Sequence, residues 1–209
     1  MIYKAENITD IGYTDALYQK AYYEMSRARQ QKADRLKREL DKKLCVFSDM
    51  LLRTMLRESF GINHPEFCED EKGKPYLLGN DLYFSLSHSG TYIACAIDTH
   101  PVGVDIETPR AVEPRVINHC CTAQESLYVC ADPMTRTDPL PAQSEEAVRF
   151  LTLWTAKEAY LKFTGEGLTG GLKNIVTIEN GKLKSTINDK HLTAIIQKDY
   201  VLSIISENT

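Results

Sequence analysis

The chain has 209 residues, of which 43% are hydrophobic and 26% are charged, and its formal net charge at pH 7 is −4. These values are typical of a globular protein with a sizeable core, and the negative charge argues against general binding of nucleic acid. The sequence has neither a signal-peptide pattern nor an apolar run of roughly 20 residues, so we expect a cytoplasmic protein that binds no membrane.

Residues 15–59 are predicted to be helical, with Gly61 as the stop. Apolar side chains recur there at spacings of three and four, which places one apolar stripe against a core. The stripe consists of Leu36, Leu40, Leu44, Phe47, Leu51 and Met55. Residues 27–43 contain eight basic and three acidic side chains. This basic stretch suits a small polyanion or an acidic protein partner, although a solvated helix face would have the same composition.

After a loop rich in turn-forming residues at 64–75, the apolar pattern changes to a period of two. It predicts short strands at residues 82–86, 91–97 and 102–107. Residues 98–101 (DTHP) form a tight connection, so we expect the last two strands to pair as a hairpin.

The second half of the chain begins again with helical signals. Thr122 and Glu125 have the spacing of a capping box that opens a short helix. Residues 131–144 contain three prolines and are expected to form a mobile surface loop. A long helix is predicted from Glu145 to Phe163.

The tail predicts two hairpins, one turning at Asn180-Gly181 and one near Lys198-Asp199. Helix followed by antiparallel strands thus occurs twice along the chain. This order predicts an α+β fold of two halves, residues 1–101 and residues 102–209.

Two carboxylates lie on one face of the predicted strand at 102–107. Alternate side chains of a strand share a face, so Asp105 and Glu107 point the same way, about 6.5–7 Å apart. Carboxylates at this spacing can converge on one hard cation. Gly103, on the same face, leaves room for a ligand or a close backbone. A solvent-facing strand edge with two ordinary acids would show the same pattern.

Glu158 and Lys162 lie one turn apart on the predicted long helix, on the same face as Trp154. Glu158 would complete a cluster of three carboxylates with Asp105 and Glu107. Oxygen ligands without neighbouring Cys or His indicate Mg²⁺ or Mn²⁺. Lys162 would neutralise the charge of a phosphate leaving group. The alternative is an ordinary Glu–Lys surface pair beside a core tryptophan.

A third motif, residues 84–90 (FSLSHSG), lies between two predicted strands. It can present hydroxyls, an imidazole and backbone N–H groups to an anion. A serine hydrolase is disfavoured because the adjacent Ser87 and His88 point in different directions and no Gly-x-Ser-x-Gly elbow is present. A structural turn is the alternative interpretation.

Taken together and in this order, four segments resemble the 4′-phosphopantetheinyl transferases of the Sfp type. They are residues 73–75 (GKP), 84–89 (FSLSHS), 103–107 (GVDIE) and 154–162 (WTAKEAYLK). The last two are the diagnostic pair of that superfamily, and the similarity runs over residues 27–168.

The resemblance implies a monomer built as a pseudo-dimer of two similar α+β halves, with coenzyme A and a metal ion in the cleft between them. It implies a holo-[acyl-carrier-protein] synthase reaction, in which Mg²⁺-dependent transfer moves 4′-phosphopantetheine from coenzyme A to a serine of an apo acyl or peptidyl carrier protein. The product 3′,5′-ADP is released. The carrier would belong to fatty-acid, polyketide or non-ribosomal-peptide synthesis, and the sequence does not choose among them.

The resemblance also implies roles for individual residues. Asp105, Glu107 and Glu158 would hold Mg²⁺ against the pyrophosphate of coenzyme A. Glu158 would also deprotonate the carrier serine, and Lys162 would stabilise the leaving 3′,5′-ADP. The residues implied in coenzyme A binding are Arg29 and Lys32 near the 3′-phosphate, Lys74 near the adenine, and Ser87, His88 and Asp105 at the phosphates.

One position departs from the family pattern. A nucleotide-contacting arginine of the family falls near Leu44, which cannot bind phosphate and belongs to the predicted apolar stripe. Lys42 or Lys43 would have to substitute for it.

Two other functions share parts of this pattern. A Mg²⁺-dependent nucleotide phosphohydrolase would use the same carboxylates with water as the nucleophile, but it does not predict the helix at 154–162. An inactive homologue that binds coenzyme A or a carrier as an accessory module is disfavoured, because the three carboxylates and Lys162 are all retained.

Overall fold

Helices and antiparallel strands make up the described parts of the chain, which confirms the predicted α+β class. The computed structural model of the protein describes residues 1–9, 14–71, 73–133, 136–167 and 171–207. Met1–His100 and Pro101–Thr209 form two compact units. The similarity of the two halves as a pseudo-dimer stays a prediction. No described helix is both long and apolar enough to cross a membrane.

The helical region of the first unit is divided more finely than predicted. Its helices are α1 (Asp15–Glu24), α2 (Arg27–Arg35) and α3 (Glu39–Phe60). The continuous helical stretch expected at 15–59 is therefore interrupted twice. Ser26 has extended backbone and its side chain accepts the N–H of Arg29, so it caps a new helix. Leu36 has extended backbone and ends α2.

Helix α3 carries the predicted apolar stripe and ends where predicted. Gly61 follows it with a left-handed φ of 69°, a conformation that glycine adopts without strain. Leu44, Phe47 and Leu51 are buried in the core of the first unit. The periodic spacing therefore identified the face of α3 that packs inward.

The sheet of the first unit lies against α3. The strands of this unit are β1 (Ile2–Asn7), β2 (Phe67–Glu69), β3 (Pro75–Leu77), β4 (Tyr83–Ser89) and β5 (Tyr92–Asp98). Strands β1, β5 and β4 pair antiparallel in that order, while β2 and β3 form a separate hairpin. Buried side chains of β4 and β5, including Phe84, Ile93 and Ile97, join the α3 core.

The second unit places one long helix against a sheet. Its helices are α4 (Pro114–Cys120), α5 (Ala123–Val129) and α6 (Glu145–Thr164), followed by a 3₁₀ turn at Leu172–Asn174. Its strands are β6 (Val102–Glu107), β7 (Ile178–Glu179), β8 (Lys182–Leu183), β9 (Thr186–Ile187), β10 (Lys190–Ile196) and β11 (Val201–Ser206). The order in the larger sheet is β6-β11-β10-β9, and β7 pairs with β8.

The hairpin predicted between residues 91–97 and 102–107 is wrong. Strand β5 lies between β1 and β4, so both of its edges are already paired. Strand β6 instead pairs with β11. No strand was predicted at residues 2–7, and β1 fills the edge of β5 that the predicted hairpin would have used.

Several local predictions in the second unit are confirmed. Thr122 and Glu125 form a complete capping box at the start of α5. Helix α6 begins and ends within one residue of the predicted limits. The turn at Asn180-Gly181 connects β7 and β8 with left-handed backbone at both residues, and β10 and β11 form the second hairpin.

The loop predicted at residues 131–144 is anchored to the core of the second unit. Leu140 is fully buried and exchanges two backbone hydrogen bonds with Val112, of 3.1 and 2.9 Å. Residues 134 and 135 lie outside the described part of the chain. The mobility expected for this loop stays a prediction.

The backbone of α6 lies unusually close to β6 at Gly103. A Cβ atom added to Gly103 would lie 2.0 Å from the carbonyl oxygen of Ala159 and 2.6 Å from the amide nitrogen of Phe163. These are backbone atoms of a buried helix, so they have little freedom to move aside. The space left by the missing side chain is therefore filled by α6, one of the two uses predicted for this glycine.

Replacing Gly103 by alanine is expected to lower the free energy of unfolding by about 3 kcal/mol or more, because α6 must be displaced. Gly181→Ala is the control in the same unit. Its Cβ would meet no atom within 4 Å and only the left-handed φ of 71° would be strained, at about 1 kcal/mol. Urea denaturation measures both. An equal loss in the two variants would contradict the packing constraint.

Candidate functional site

Strand β6 and helix α6 bring the predicted acidic residues and lysine into one place in the second unit. Asp105 lies two residues beyond Gly103, on the face of β6 that α6 covers. The Nζ atom of Lys162 donates a hydrogen bond of 2.7 Å to Oδ1 of Asp105. The Asp105 side chain is only 8% exposed, whereas that of Lys162 is 30% exposed. The lysine therefore reaches a buried carboxylate from the solvent side.

Glu107, at the end of β6, lies beside a cation that the sequence analysis did not select. Nη2 of Arg110 is 3.5 Å from Oε1 of Glu107. The Arg110 guanidinium also lies over the ring of Trp154, 6.0 Å from its centre. Arg110 follows Glu107 by three residues, and this short spacing could have indicated the ion pair from the sequence. The arginine connects the strand carboxylate to the face of α6 that carries Trp154.

Glu158 is the least satisfied carboxylate of the group. Its Oε1 atom is buried and has no hydrogen-bond partner among the described residues. Burial raises the pKa of Glu158, and the negative charges of Asp105 and Glu107 raise it further, while Lys162 opposes them. The three carboxylates are therefore close enough to act on one another electrostatically.

The donor set fits a hard cation, although the side chains do not form a closed ring of ligands. Over the described ranges, no group of three or more His, Cys, Asp or Glu residues is arranged to hold a metal ion. Lys162 pairs with Asp105, and Arg110 pairs with Glu107. A divalent ion would relieve the mutual repulsion of the carboxylates and give the buried Oε1 of Glu158 a partner. The oxygen donors are of the kind that a hard cation such as Mg²⁺ prefers.

Two charged residues beside this site were given no role by the sequence analysis. Lys157 precedes Glu158 on α6 and is buried, and its Nζ lies 2.7 Å from Oε2 of the buried Glu125. Glu125 was recognised only as part of a capping box.

A buried hydroxyl contact also joins α6 to the sheet. The hydroxyl of Thr155 is 2.8 Å from that of Ser203, which pairs with Asp105 in the sheet.

In the first unit, Arg29 belongs to a partly buried charge cluster around the buried Asp49. Its Nε lies 3.5 Å from Oδ1 of Asp49, and Arg53 donates a 2.6 Å hydrogen bond to the other oxygen of Asp49. Arg29 and Asp49 line a pocket of about 230 Å³ whose other walls include Phe67 and Phe84. Arg29 is thus held at the wall of a partly aromatic pocket.

The other predicted nucleotide-binding residues of the first unit have different environments. Lys32 is exposed on α2, and Lys74 is half-buried just before β3. Burial lowers the pKa of the Lys74 ammonium, while Asp70 opposes this shift. Ser87 is buried and His88 is exposed, because neighbouring residues of β4 point to opposite faces. The structure therefore does not bring Ser87 and His88 to one face of the strand.

Leu44 is buried in the core, as its place in the apolar stripe predicted. Lys42, one of its two proposed substitutes, pairs with Glu39 at 3.0 Å. A replacement for the missing basic residue stays a prediction.

Comparison with known proteins gives one family. Residues 101–205 match the model of the 4′-phosphopantetheinyl transferase superfamily. A similar curated protein is the 4′-phosphopantetheinyl transferase psf-1 of Bacillus pumilus, 27% identical over an alignment of 170 residues that covers 79% of this chain and 69% of the relative. The 4′-phosphopantetheinyl transferase gsp of Aneurinibacillus migulanus is 30% identical over 59% of this chain. The alignment spans only 48% of that relative, about half its length. Sfp of Bacillus subtilis is 24% identical over 83% of this chain and 75% of its own.

Glu158→Gln is expected to stabilise the metal-free protein at about pH 8. The folded-state pKa of Glu158 is raised, so its ionised form costs folding free energy above that pKa. As the pH falls through the raised pKa, the folded carboxyl takes up a proton before the unfolded one does. The advantage of the neutral amide then disappears.

Calorimetric melting temperatures in EDTA, measured from about pH 5 to pH 8, test this expectation. Glu179→Gln is the control because Glu179 is exposed in the same unit. A Glu158→Gln variant that melts at or below the wild-type temperature at the alkaline end would show that its carboxylate is not under strain.

Proposed function

Because the chain belongs to the 4′-phosphopantetheinyl transferase superfamily, we propose that it transfers the 4′-phosphopantetheine arm of coenzyme A to a serine of an apo acyl or peptidyl carrier protein. The observation that carries the proposal is the group of Asp105, Glu158 and Lys162 where α6 packs on β6. This group lies within the segment that matches the family model.

The proposed reaction sets three chemical demands. The carrier serine must lose its proton, its Oγ must form a bond to the phosphorus nearer the pantetheine, and the bond to the bridging oxygen must break. The electron pair of that bond leaves with 3′,5′-ADP. The nucleophile is supplied by the partner, so this chain needs no reactive serine or cysteine of its own.

Asp105, Glu107 and Glu158 would hold Mg²⁺ in this proposal. The ion, when bound, neutralises pyrophosphate charge and makes the attacked phosphorus more electrophilic. Glu158 also takes up the serine proton, directly or through a water molecule. A carboxylate held within reach of the serine hydroxyl can serve as its general base.

Lys162 would neutralise the leaving group. Its ammonium lies on Asp105 in this structure and is partly exposed, so it is available to a phosphate that approaches from solvent. A cation fixed beside the leaving phosphate stabilises the charge that develops as the bond breaks. Asp105 would thereby orient both the metal ion and Lys162.

The remaining assignments are proposals that rest on the resemblance. Arg29 and Lys32 would bind the 3′-phosphate, Lys74 would lie near the adenine, and Ser87 and His88 would contact the phosphates. The partly aromatic pocket beside Arg29 supports a role of that surface in nucleotide binding. A monomeric state and a cytoplasmic location stay predictions.

Intact mass spectrometry of an apo carrier protein incubated with this protein, coenzyme A and Mg²⁺ tests the proposed activity. We expect a gain of one phosphopantetheine unit that EDTA abolishes. Glu158→Gln should abolish the gain, whereas the exposed control Glu179→Gln should retain it. No gain on carriers from several pathways would overturn the proposal. Release of 3′,5′-ADP without a carrier would instead indicate a phosphohydrolase.

Lys162→Ala is expected to lower kcat by at least about ten-fold and to raise the KM for coenzyme A by less than about three-fold. The reason is that a charge at the leaving group matters most in the transition state. Lys190→Ala is the control, because Lys190 is 31% exposed and pairs with Glu207 at 2.6 Å in the same unit. A Lys162 effect confined to KM would argue for simple substrate binding. Steady-state kinetics separates the two results.

A further inference from the structure

Lys157 and Glu125 form a buried ion pair that the proposed chemistry does not use. Their side chains are 1% and 0% exposed, and Nζ of Lys157 lies 2.7 Å from Oε2 of Glu125. A lysine of this degree of burial is rare in proteins. It directly precedes Glu158 on α6, which makes its environment relevant to the site.

Each polar atom of the pair has a defined partner. The Lys157 ammonium uses its three donors on Oε2 of Glu125, on the Cys120 carbonyl at 2.9 Å and on the Leu172 carbonyl at 3.0 Å. Oε1 of Glu125 accepts from the N–H and the hydroxyl of Thr177, at 2.9 and 2.7 Å.

Oε2 of Glu125 accepts a second hydrogen bond besides that from Lys157. Oε2 accepts the N–H of Thr122 at 2.9 Å, which completes the capping box of α5. Burial acts to raise the pKa of Glu125, but hydrogen bonds from Lys157 and from two threonines outweigh it and lower the pKa. The carboxylate is thus ionised and fixed within its network.

The pair connects α6 to four other segments of the second unit. Cys120 ends α4, Glu125 lies in the first turn of α5, Leu172 begins the 3₁₀ turn, and Thr177 precedes β7. Three acceptors in different directions around one ammonium define where the Lys157 side chain must point. They therefore define the rotation of α6 about its axis.

Stability alone does not account for this arrangement. Replacing a buried ion pair by apolar side chains of similar volume is often neutral or stabilising, because removing two charges from water is costly. An apolar pair would also leave α6 freer to rotate, since dispersion contacts are not directional. What the ion pair adds is a fixed orientation.

We propose that the Lys157–Glu125 pair sets the rotation of α6 and thereby positions Glu158 toward Asp105 and Glu107. Successive helix residues are rotated by about 100°, so fixing Lys157 on the inner side fixes the direction of Glu158. The contact at Gly103 fixes how closely α6 approaches β6. Lys157 and Glu125 are positioning residues, and their role in the reaction rests on the function proposed above.

The test replaces the pair by neutral side chains in the double variant Glu125→Gln/Lys157→Met. We expect a folded protein whose kcat falls at least about ten-fold while its KM for coenzyme A changes less than about three-fold, because a small misplacement of a catalytic group is costly. Mn²⁺ titrated in the presence of coenzyme A and followed by electron paramagnetic resonance should bind at least about five-fold more weakly.

Leu192→Ala is the matched control for general loss of stability. Leu192 is buried in the same core on β10, which supplies none of the acceptors of Lys157, so its truncation leaves a cavity and keeps those acceptors in place. We expect lower stability with kcat and Mn²⁺ affinity within about two-fold of wild type. If Leu192→Ala also lowers kcat and Mn²⁺ affinity to the same extent, the effect of the pair is one of stability alone and the inference is wrong.

Glu125→Asp keeps the charge but withdraws the carboxylate by one methylene, and it covers the case in which the double variant does not fold. The same fall in kcat and Mn²⁺ affinity is expected. Normal kcat and Mn²⁺ binding in either folded variant would overturn the inference. Absence of transfer by the wild type would overturn the proposed function instead, and the Mn²⁺ titration would still decide whether the pair positions Glu158.

Discussion

Strand β6 has no side chain at Gly103, and this allows the backbone of α6 to lie directly against it. Residues near this contact on both elements are thereby brought close together. Lys162 can reach Asp105, and Glu158 lies within the electrostatic influence of Asp105 and Glu107. A side chain at position 103 would increase the separation of strand and helix and weaken each of these interactions. The distances between the charged groups of the site therefore depend on one packing contact.

Bringing the carboxylates together also raises the electrostatic free energy of the folded protein when no cation is bound. Three carboxylates share a partly buried region, and Lys162 and Arg110 compensate only two of them directly. The buried Oε1 of Glu158 has no hydrogen-bond partner in the described chain. Unsatisfied buried polar atoms are uncommon in folded proteins, and they concentrate where a ligand completes the set. This unbalanced charge supports a cation-binding role more strongly than the motif does by itself.

Sequence signals predicted local structure well and long-range pairing poorly. The capping box of Thr122, the stop at Gly61 and the turn at Asn180-Gly181 depend on neighbouring residues, and all three are present. The partners of β5 and β6 depend on β1 and β11, which lie far away in the sequence. A short connection between two strands suggested a hairpin, but it could not reveal that other strands already paired their edges.

The site shows the same division. The spacing of Asp105 and Glu107 on a strand, and of Glu158 and Lys162 on a helix, was informative because each element has a fixed period. The interaction of Lys157 with Glu125 spans 32 residues and could not be read from a motif in which both lysine and glutamate look like surface residues. Lys157 and Glu158 are neighbours, yet the first has every donor satisfied by the protein and the second has a buried oxygen without a described partner. That difference, visible only in three dimensions, separates the residue that holds the helix from the residue that is available for chemistry.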